Sequence, residues 1–497
     1  MTTSKRFRRG SVLAVAAVTV LAGAGLASAN VPVTVVSTDP FTNPTSQHAT
    51  EVEPDTFANG NTVISAFQVG RFFNGGASGI GFARSGDGGV TWDTPGFLPG
   101  LTFNSGAADS PFERVSDPTV AYDARHGVWL ISSLPLFPDS SSPNVFVSRS
   151  TDDGRTWSLP RKIPQPLVKD PAKDVNVDKN WTGCDNHPSS LFYGHCYTEF
   201  DNFGQNDLVL MSTSADGGLT WSTPVPTAGK DKGIGGQPVV LPNGTAVVPY
   251  FDLNQKIAAF ISTNGGVSWT KSVDVWKVQT HTVGGGLRAN PSFPSVEIDA
   301  AGKIYAAWFD CSFRQNCSTN DIVFSTSTDG VNWTSPAVIP IDPGTNTVDH
   351  FIPGLAVDPT TSGNSAHLAL TYHFYPNANC DISSCQLEVG YISSPDGGAH
   401  WGLPIQLAGP MSLTDIAQTT SGPMVGDYIS TSFAAGRATT VFAIGRPRPT
   451  PTSFDQAMNA PTTPLPVATP GQANRPSTTN DAVVPPSDVT LPPILVR

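Results

Sequence analysis

Apolar and polar residues alternate along this chain in short runs, broken roughly every eight to twelve residues by Gly, Pro, Asn, Asp or Ser, which is the rhythm of an all-β protein. The register is clearest around residue 300. Pro294 to Asp299, Lys303 to Asp310, Asp321 to Ser327 and Pro336 to Ile339 predict four successive strands, A to D, joined by turns. Near the end, Gly426 to Phe433, Ala438 to Gly445 and Phe454 to Ala460 predict an A, a B and a C strand without a D. Val31-Pro-Val-Thr-Val-Val-Ser37, at the other end, alternates as a strand should. Pairing it beside the last three strands would close a ring without exposed sheet edges.

An eight-residue motif, Ser-x-Asp-x-Gly-x-Thr-Trp, punctuates this pattern. It stands at Ser85 to Trp92, Ser150 to Trp157, Ser214 to Trp221 and, with Asn264 replacing Asp, Ser262 to Trp269. Looser copies follow at Ser327 to Trp333 and Ser394 to Trp401. The recurrence suits one four-stranded sheet plus its loops, the unit of a β-propeller, and with the closing sheet it favours seven blades over six. The motif reads as the C to D hairpin turn. Its Asp accepts bonds from turn N–H groups and the Ser hydroxyl, Gly supplies a positive φ, and Trp covers the turn. One or two carboxylates per turn fall short of the oxygen count calcium takes, so the role is structural and neither metal nor cofactor is expected.

Composition agrees: Gly 47, Pro 45 and only 14% charged residues exclude a helical protein. Residues 1–29 have the form of a secretory leader, with Lys5, Arg6, Arg8 and Arg9, an apolar stretch from Val12 to Leu26, and the small-residue site Ala27-Ser28-Ala29. Cleavage after Ala29 is expected to release a secreted protein. Losing those four basic residues takes the formal charge from −12 to −16, so nucleic acid is not an expected partner. The six cysteines fall in close pairs, Cys184 with Cys196, Cys311 with Cys317 and Cys380 with Cys385. In an exported chain these read as three local disulfides, although six cysteines allow about fifteen connectivities. Residues 30–460 are read as the propeller, and 461–497, rich in Pro, Thr and Ser, as a disordered tail with no membrane anchor.

The six motif copies resemble the Asp-box, or bacterial neuraminidase repeat, of the sialidase superfamily. The resemblance implies a propeller whose D to A and B to C connections share the rim opposite the Asp-boxes, which makes that rim the expected site. It also implies an extracellular glycan as partner, and a monomer is expected. Retaining sialidases use a Tyr nucleophile assisted by Glu, an Asp acid or base, and three Arg on the substrate carboxylate. By position, this implies Tyr428 with Glu199 as the nucleophilic pair, Asp178 as acid or base, and Arg71, Arg288 and Arg446 as the clamp.

Glu199 also stands out within the repeat. Three B-strand ends read Glu199-Phe-Asp201, Tyr250-Phe-Asp252 and Trp308-Phe-Asp310; the recurring Asp suggests a shared structural bond, while an acid in place of an aromatic marks a departure. The family's Arg-Ile-Pro sequence is absent from the first blade, since Arg161-Lys-Ile-Pro164 follows the second box. Two other readings therefore stand beside a glycoside hydrolase. One is a non-catalytic carbohydrate- or protein-binding propeller. The other is a polysaccharide lyase using His373 as base and Arg314 to neutralise a carboxylate.

Overall fold

The structure, a computed structural model, describes Met1 and residues 31–478. The expected leader and its cleavage site, and the tail from 479, lie outside the described residues. Among the described residues the chain is all-β and almost wholly antiparallel, folding as successive meanders. The first two are Glu51–Asn59, Thr62–Arg71, Ala77–Ser85, Gly96–Phe97 and Arg114–Asp123, Val128–Leu136, Phe146–Ser150, Arg161–Lys162. One pairing, Ala77 with Val115, links them into an 8-stranded sheet. The third runs Val177–Cys184, Cys196–Asn202, Leu208–Ser214, Val225–Pro226. In the fourth, Gly233–Ile234 and Val239–Val240 both pair with Ala246–Asp252, followed by Lys256–Ser262 and Val273–Lys277.

The fifth meander is Ser295–Ile298, Ile304–Asp310, Asp321–Ser327, Ala337–Val338, each strand falling within the run its alternation predicts. The sixth is Asp349–Val357, Leu368–Tyr375, Gln386–Ser394, Ile405–Ser412. The last, Ser430–Ala434, Arg437–Gly445 and Gln456–Pro461, takes Val33–Val35 from the other end of the chain as its fourth strand. Its inner strand starts later than expected, at Ser430, because Gly426 to Ile429 turns into the mouth described below, and the strand from the other end of the chain shrinks to Val33–Val35.

Side-chain bonds tie the first strand of each meander to the next. Asp55 accepts from Val120 N at 2.7 Å, Thr119 from Thr182 N at 3.3 Å, Gln237 from Val296 N at 2.8 Å, and Ser295 from Leu355 N at 2.9 Å. Glu199 bridges the third to the fourth through Gly236 N, and Thr431 donates to Gly354 O at 2.8 Å. Thr56 meets Ser430 and Ser432 at 2.9 and 2.8 Å, returning the series to the first meander. These strands surround a cavity of about 360 Å³ that carries Asp55 and Glu297.

The Asp-boxes are structural turns. In the first, Asp87 Oδ1 accepts from Thr91 N at 2.9 Å and Ser85 Oγ at 2.8 Å, while Gly89 N donates to that Ser oxygen at 2.9 Å. The later copies repeat the scheme, Asn264 and His400 included. The fifth glycine is required twice over: Gly89 and Gly154 have φ of 88° and 78°, and a Cβ there would overlap Thr439 and Ile64 of the preceding meander. The three disulfides pair as expected, Cys184–Cys196, Cys311–Cys317 and Cys380–Cys385.

The fold extends past 460, where disorder was expected. Leu465 N bonds Ala438 O at 2.7 Å, Tyr391 Oη donates to Pro466 O at 2.9 Å, and Arg475–Pro476 pairs with His400–Trp401. A Pro- and Thr-rich stretch is held because other chain segments supply its bond partners, which composition does not reveal. No helix among the described residues is long and apolar enough to cross a membrane.

Candidate functional site

Four inner strands begin with the same irregularity. The register shifts after Val52, Ser116, Asp178 and Phe351, and there Glu53, Asp117, Lys179 and Ile352 adopt left-handed φ values of 55°, 49°, 48° and 50°. Each such residue costs about 1–3 kcal/mol and persists only where its surroundings hold it. A bulge at a strand start re-aims the side chain, and here three of the four are charged and converge.

Lys179 Nζ lies 2.8 Å from Asp117 Oδ1, 2.5 Å from Asp427 Oδ2 and 3.5 Å from Glu53 Oε1. Arg288 grips Asp427 with Nε at 2.7 Å and Nη2 at 2.5 Å. Gln68 Nε2 donates to Glu53 and, at 3.2 Å, to Ser116. All five charged groups are buried, so each ionic state depends on its neighbours. Burial works against ionised Asp427, but Arg288 and Lys179 outweigh it and hold its carboxyl well below the usual range. Burial, reinforced by Asp117 and Asp427 against the pull of Lys179, pushes Glu53 up to about 7.

Arg71 differs from its neighbours. It is 2% exposed, yet its guanidinium makes one hydrogen bond, Nη1 to Gln68 Oε1 at 3.0 Å, and Nε has none. Burial first, then repulsion from Arg288, lowers its pKa to about 10, which leaves it cationic at neutral pH. It lines a mouth cavity of about 180 Å³ together with Asn74, Ser116, Asp117, Asp178 and Arg288. Asp178 is half-buried there, and burial followed by the charge of Asp117 raises it to about 6.

Of the residues expected from sequence, Asp178, Arg71 and Arg288 therefore share one cavity. Tyr428 and Glu199 do not pair. The Tyr428 hydroxyl donates to Pro118 O at 3.1 Å, its ring meets Trp181 edge-on at 5.1 Å, and burial raises its pKa well above the ordinary value. Glu199 sits opposite Trp181 in the ladder and turns toward Gly236 N at 3.0 Å. Arg446 stands apart from the clamp, bonded to Asn459 at 3.0 Å and paired with Asp455 at 3.6 Å. Nor does the lyase pair form: Arg314 is held by Asp321 and Asp342 at 2.5 and 2.8 Å, and no hydrogen bond or ion pair joins it to His373, whose buried imidazole falls to about 4. That guanidinium also fills the Asp321, Asp342 and His350 cluster.

Sequence reasoning places Glu53, Asp117 and Asp427 at strand starts on the expected rim but gives them no role, and it gives none to Gln68. The usable signal was charge recurring at strand starts of successive repeats; what it lacked was the bulge that turns these residues toward each other.

A pH dependence follows from the buried acids. Glu53 and Asp55, at about 7, and Glu297, at about 8, are raised chiefly by burial, whereas unfolded carboxyls titrate near about 4. As pH rises from about 4 to 8 the unfolded state ionises first, so stability falls. The urea midpoint is expected to be higher at pH 5.5 than at pH 8; the reverse order would contradict these protonation states.

Antiparallel meanders, Asp-box turns and a charged mouth opposite them define a β-propeller of the sialidase type. The chain belongs to the family of BNR repeat-like domains, whose model matches residues 56–305, about half of its length. A sialidase of Bacteroides fragilis (strain YCH46) is 32% identical over 158 residues, which is 29% of this chain and 28% of that protein. Among solved structures, the NanB sialidase from Streptococcus pneumoniae is 11% identical with a TM-score of 0.40, covering 86% of this chain and 69% of the other. A PL25 ulvan lyase bound to -[GlcA(1-4)Rha3S]- is 10% identical with a TM-score of 0.48, covering 86% and 95%.

Proposed function

We propose that the chain is a secreted, monomeric seven-bladed propeller that hydrolyses the glycosidic bond of an acidic sugar in an extracellular glycan. The observation that carries this reading is Arg71: a buried cation with one neutral hydrogen-bond partner, lining a solvent-open cavity. An incoming carboxylate or sulfate would supply its missing partner. Asp178 is the proton donor, since a carboxyl near pKa 6 is largely protonated in mildly acidic medium and gives its proton to a leaving oxygen. Asp117, fixed by Lys179 at 2.8 Å, takes the opposing carboxylate role. Tyr428 is left as wall rather than nucleophile.

The test is hydrolysis of fluorogenic glycosides, with a sialoside and a glucuronide run beside neutral sugars. An acidic glycoside should turn over, with kcat lowered about 100-fold or more in Asp178→Asn and KM raised in Arg71→Gln. Turnover of neutral sugars alone would remove the role of Arg71. A second reading has its own support, since Lys179 and Arg288 are already neutralised by acids of this chain: a propeller that binds acidic glycans without cleaving them. It predicts no turnover and Arg71-dependent retention on an acidic glycan array.

A further inference from the structure

The three B-strand ends that repeat Phe-Asp do not use the Asp alike. Asp252 accepts from Asn254 N at 2.6 Å, and Asp310 from Ser312 N at 2.7 Å, so in those meanders the turn N–H groups satisfy the carboxylate. Asp201 is fully buried and neither of its oxygens has a hydrogen-bond partner. It faces acids instead. Asp207, half-buried, touches the Asp201 carboxyl; Asp178 is its direct partner in the ladder; and Glu199, two residues back on the same strand face, has an unpartnered Oε1. The nearby ammonium of Lys232 is turned to Gln205 O and offsets only part of this charge.

Two carboxyls in contact inside a protein must hold either a proton or a cation between them. A shared proton satisfies one oxygen of Asp201 and leaves the other bare, at the usual cost of a buried unpaired acceptor. A cation held by Asp201 in bidentate fashion satisfies both. We propose that Asp201 and Asp207 bind a hard divalent cation of the calcium class, reached from the half-buried Asp207 side, with Asp201 as its inner ligand. Each carboxylate binds through both oxygens, and water on the Asp207 side completes the shell that the box turns could not fill. The repeat explains why this happens once. The sister turns deliver N–H groups to their Asp, whereas after Asp201 the chain enters the short 3-10 turn Phe203–Gln205 and returns a second carboxylate.

The proposal does not depend on catalysis, and its readouts are thermal stability and calorimetry. The mature protein, stripped with a chelator, is titrated with CaCl2, with MgCl2 and MnCl2 in parallel. One calcium per chain and a Tm raised by a few degrees are expected. Asp201→Asn and Asp207→Asn should each abolish the response, while Asp252→Asn, at the sister position, keeps it. Asp207 is half-exposed, so its variant serves if Asp201→Asn does not fold. No calcium response in the wild type, with Asp201→Asn as stable as the parent, would mean that a shared proton holds the pair and would overturn the proposal. A response surviving in both variants would overturn it too, because the ion would then lie elsewhere.

Discussion

Replacing Lys179 with Ala should destabilise the protein by about 3–5 kcal/mol at pH 8, the range found when one partner of a buried ion network is removed. The ammonium lies within 3.5 Å of Glu53, Asp117 and Asp427, and the charges of Arg288 and Arg71 also reach all three. Arg288 is occupied with Asp427, and Gln68 offers Glu53 a neutral amide. Without Lys179 the acids meet their own repulsion in a desolvated site, so Glu53, already raised, rises further and Asp427 loses part of what holds it low. A carboxyl raised in the folded state weakens folding as pH climbs from its unfolded value through the folded one, and is harmless below both. The loss should therefore be largest near pH 8 and shrink toward pH 4, measured by urea unfolding of both proteins across that range. An equal loss at every pH would assign Lys179 a packing role only, and no loss at pH 8 would mean that the three carboxyls are not gathered as described. The strained backbone at Glu53, Asp117 and Lys179 sharpens the expectation, since the attraction within the cluster is what offsets that strain.

What the sequence disclosed and what it hid divide along physical lines. Strand alternation and box turns are local: Ser85, Asp87, Gly89 and Thr91 lie within one turn and bond to one another, so their spacing alone carries their structure. The disulfides are local for the same reason. The mouth is assembled from residues far apart in the chain, such as Glu53, Lys179 and Asp427. Their position at strand starts was readable; the bulges that aim them inward were not, because a one-residue register shift leaves no mark on an alternating pattern. Tyr428 and Glu199 show the converse error. Both stand at readable strand positions, but one hydroxyl is spent on Pro118 and one carboxylate on Gly236, and only coordinates reveal which neighbour a side chain has taken.

The pairing of the two ends of the chain in one sheet is the long-range feature the sequence did disclose, and it supports the second large effect. A chain beginning at Thr38 should lose at least about 3 kcal/mol relative to one beginning at Val31. Val33, Thr34 and Val35 pair with Pro461, Ala460 and Asn459; Val36 is 1% exposed and its N–H bonds Met458 O at 2.8 Å; Ser37 accepts from Met458 N at 2.9 Å. Burying one Val contributes about 1.5–3 kcal/mol and each backbone bond about 1 kcal/mol. Deletion also bares the edge of Gln456–Pro461, an open template for pairing with another chain. The shortened protein should melt lower and associate on size exclusion, and a synthetic Val31 to Ser37 peptide should reverse both by refilling the edge. An unchanged Tm would show that the seventh sheet holds without its fourth strand. A lower Tm that the peptide cannot restore would place the loss in folding rather than in the closed edge, because a strand needed only in the finished ring can be supplied from solution.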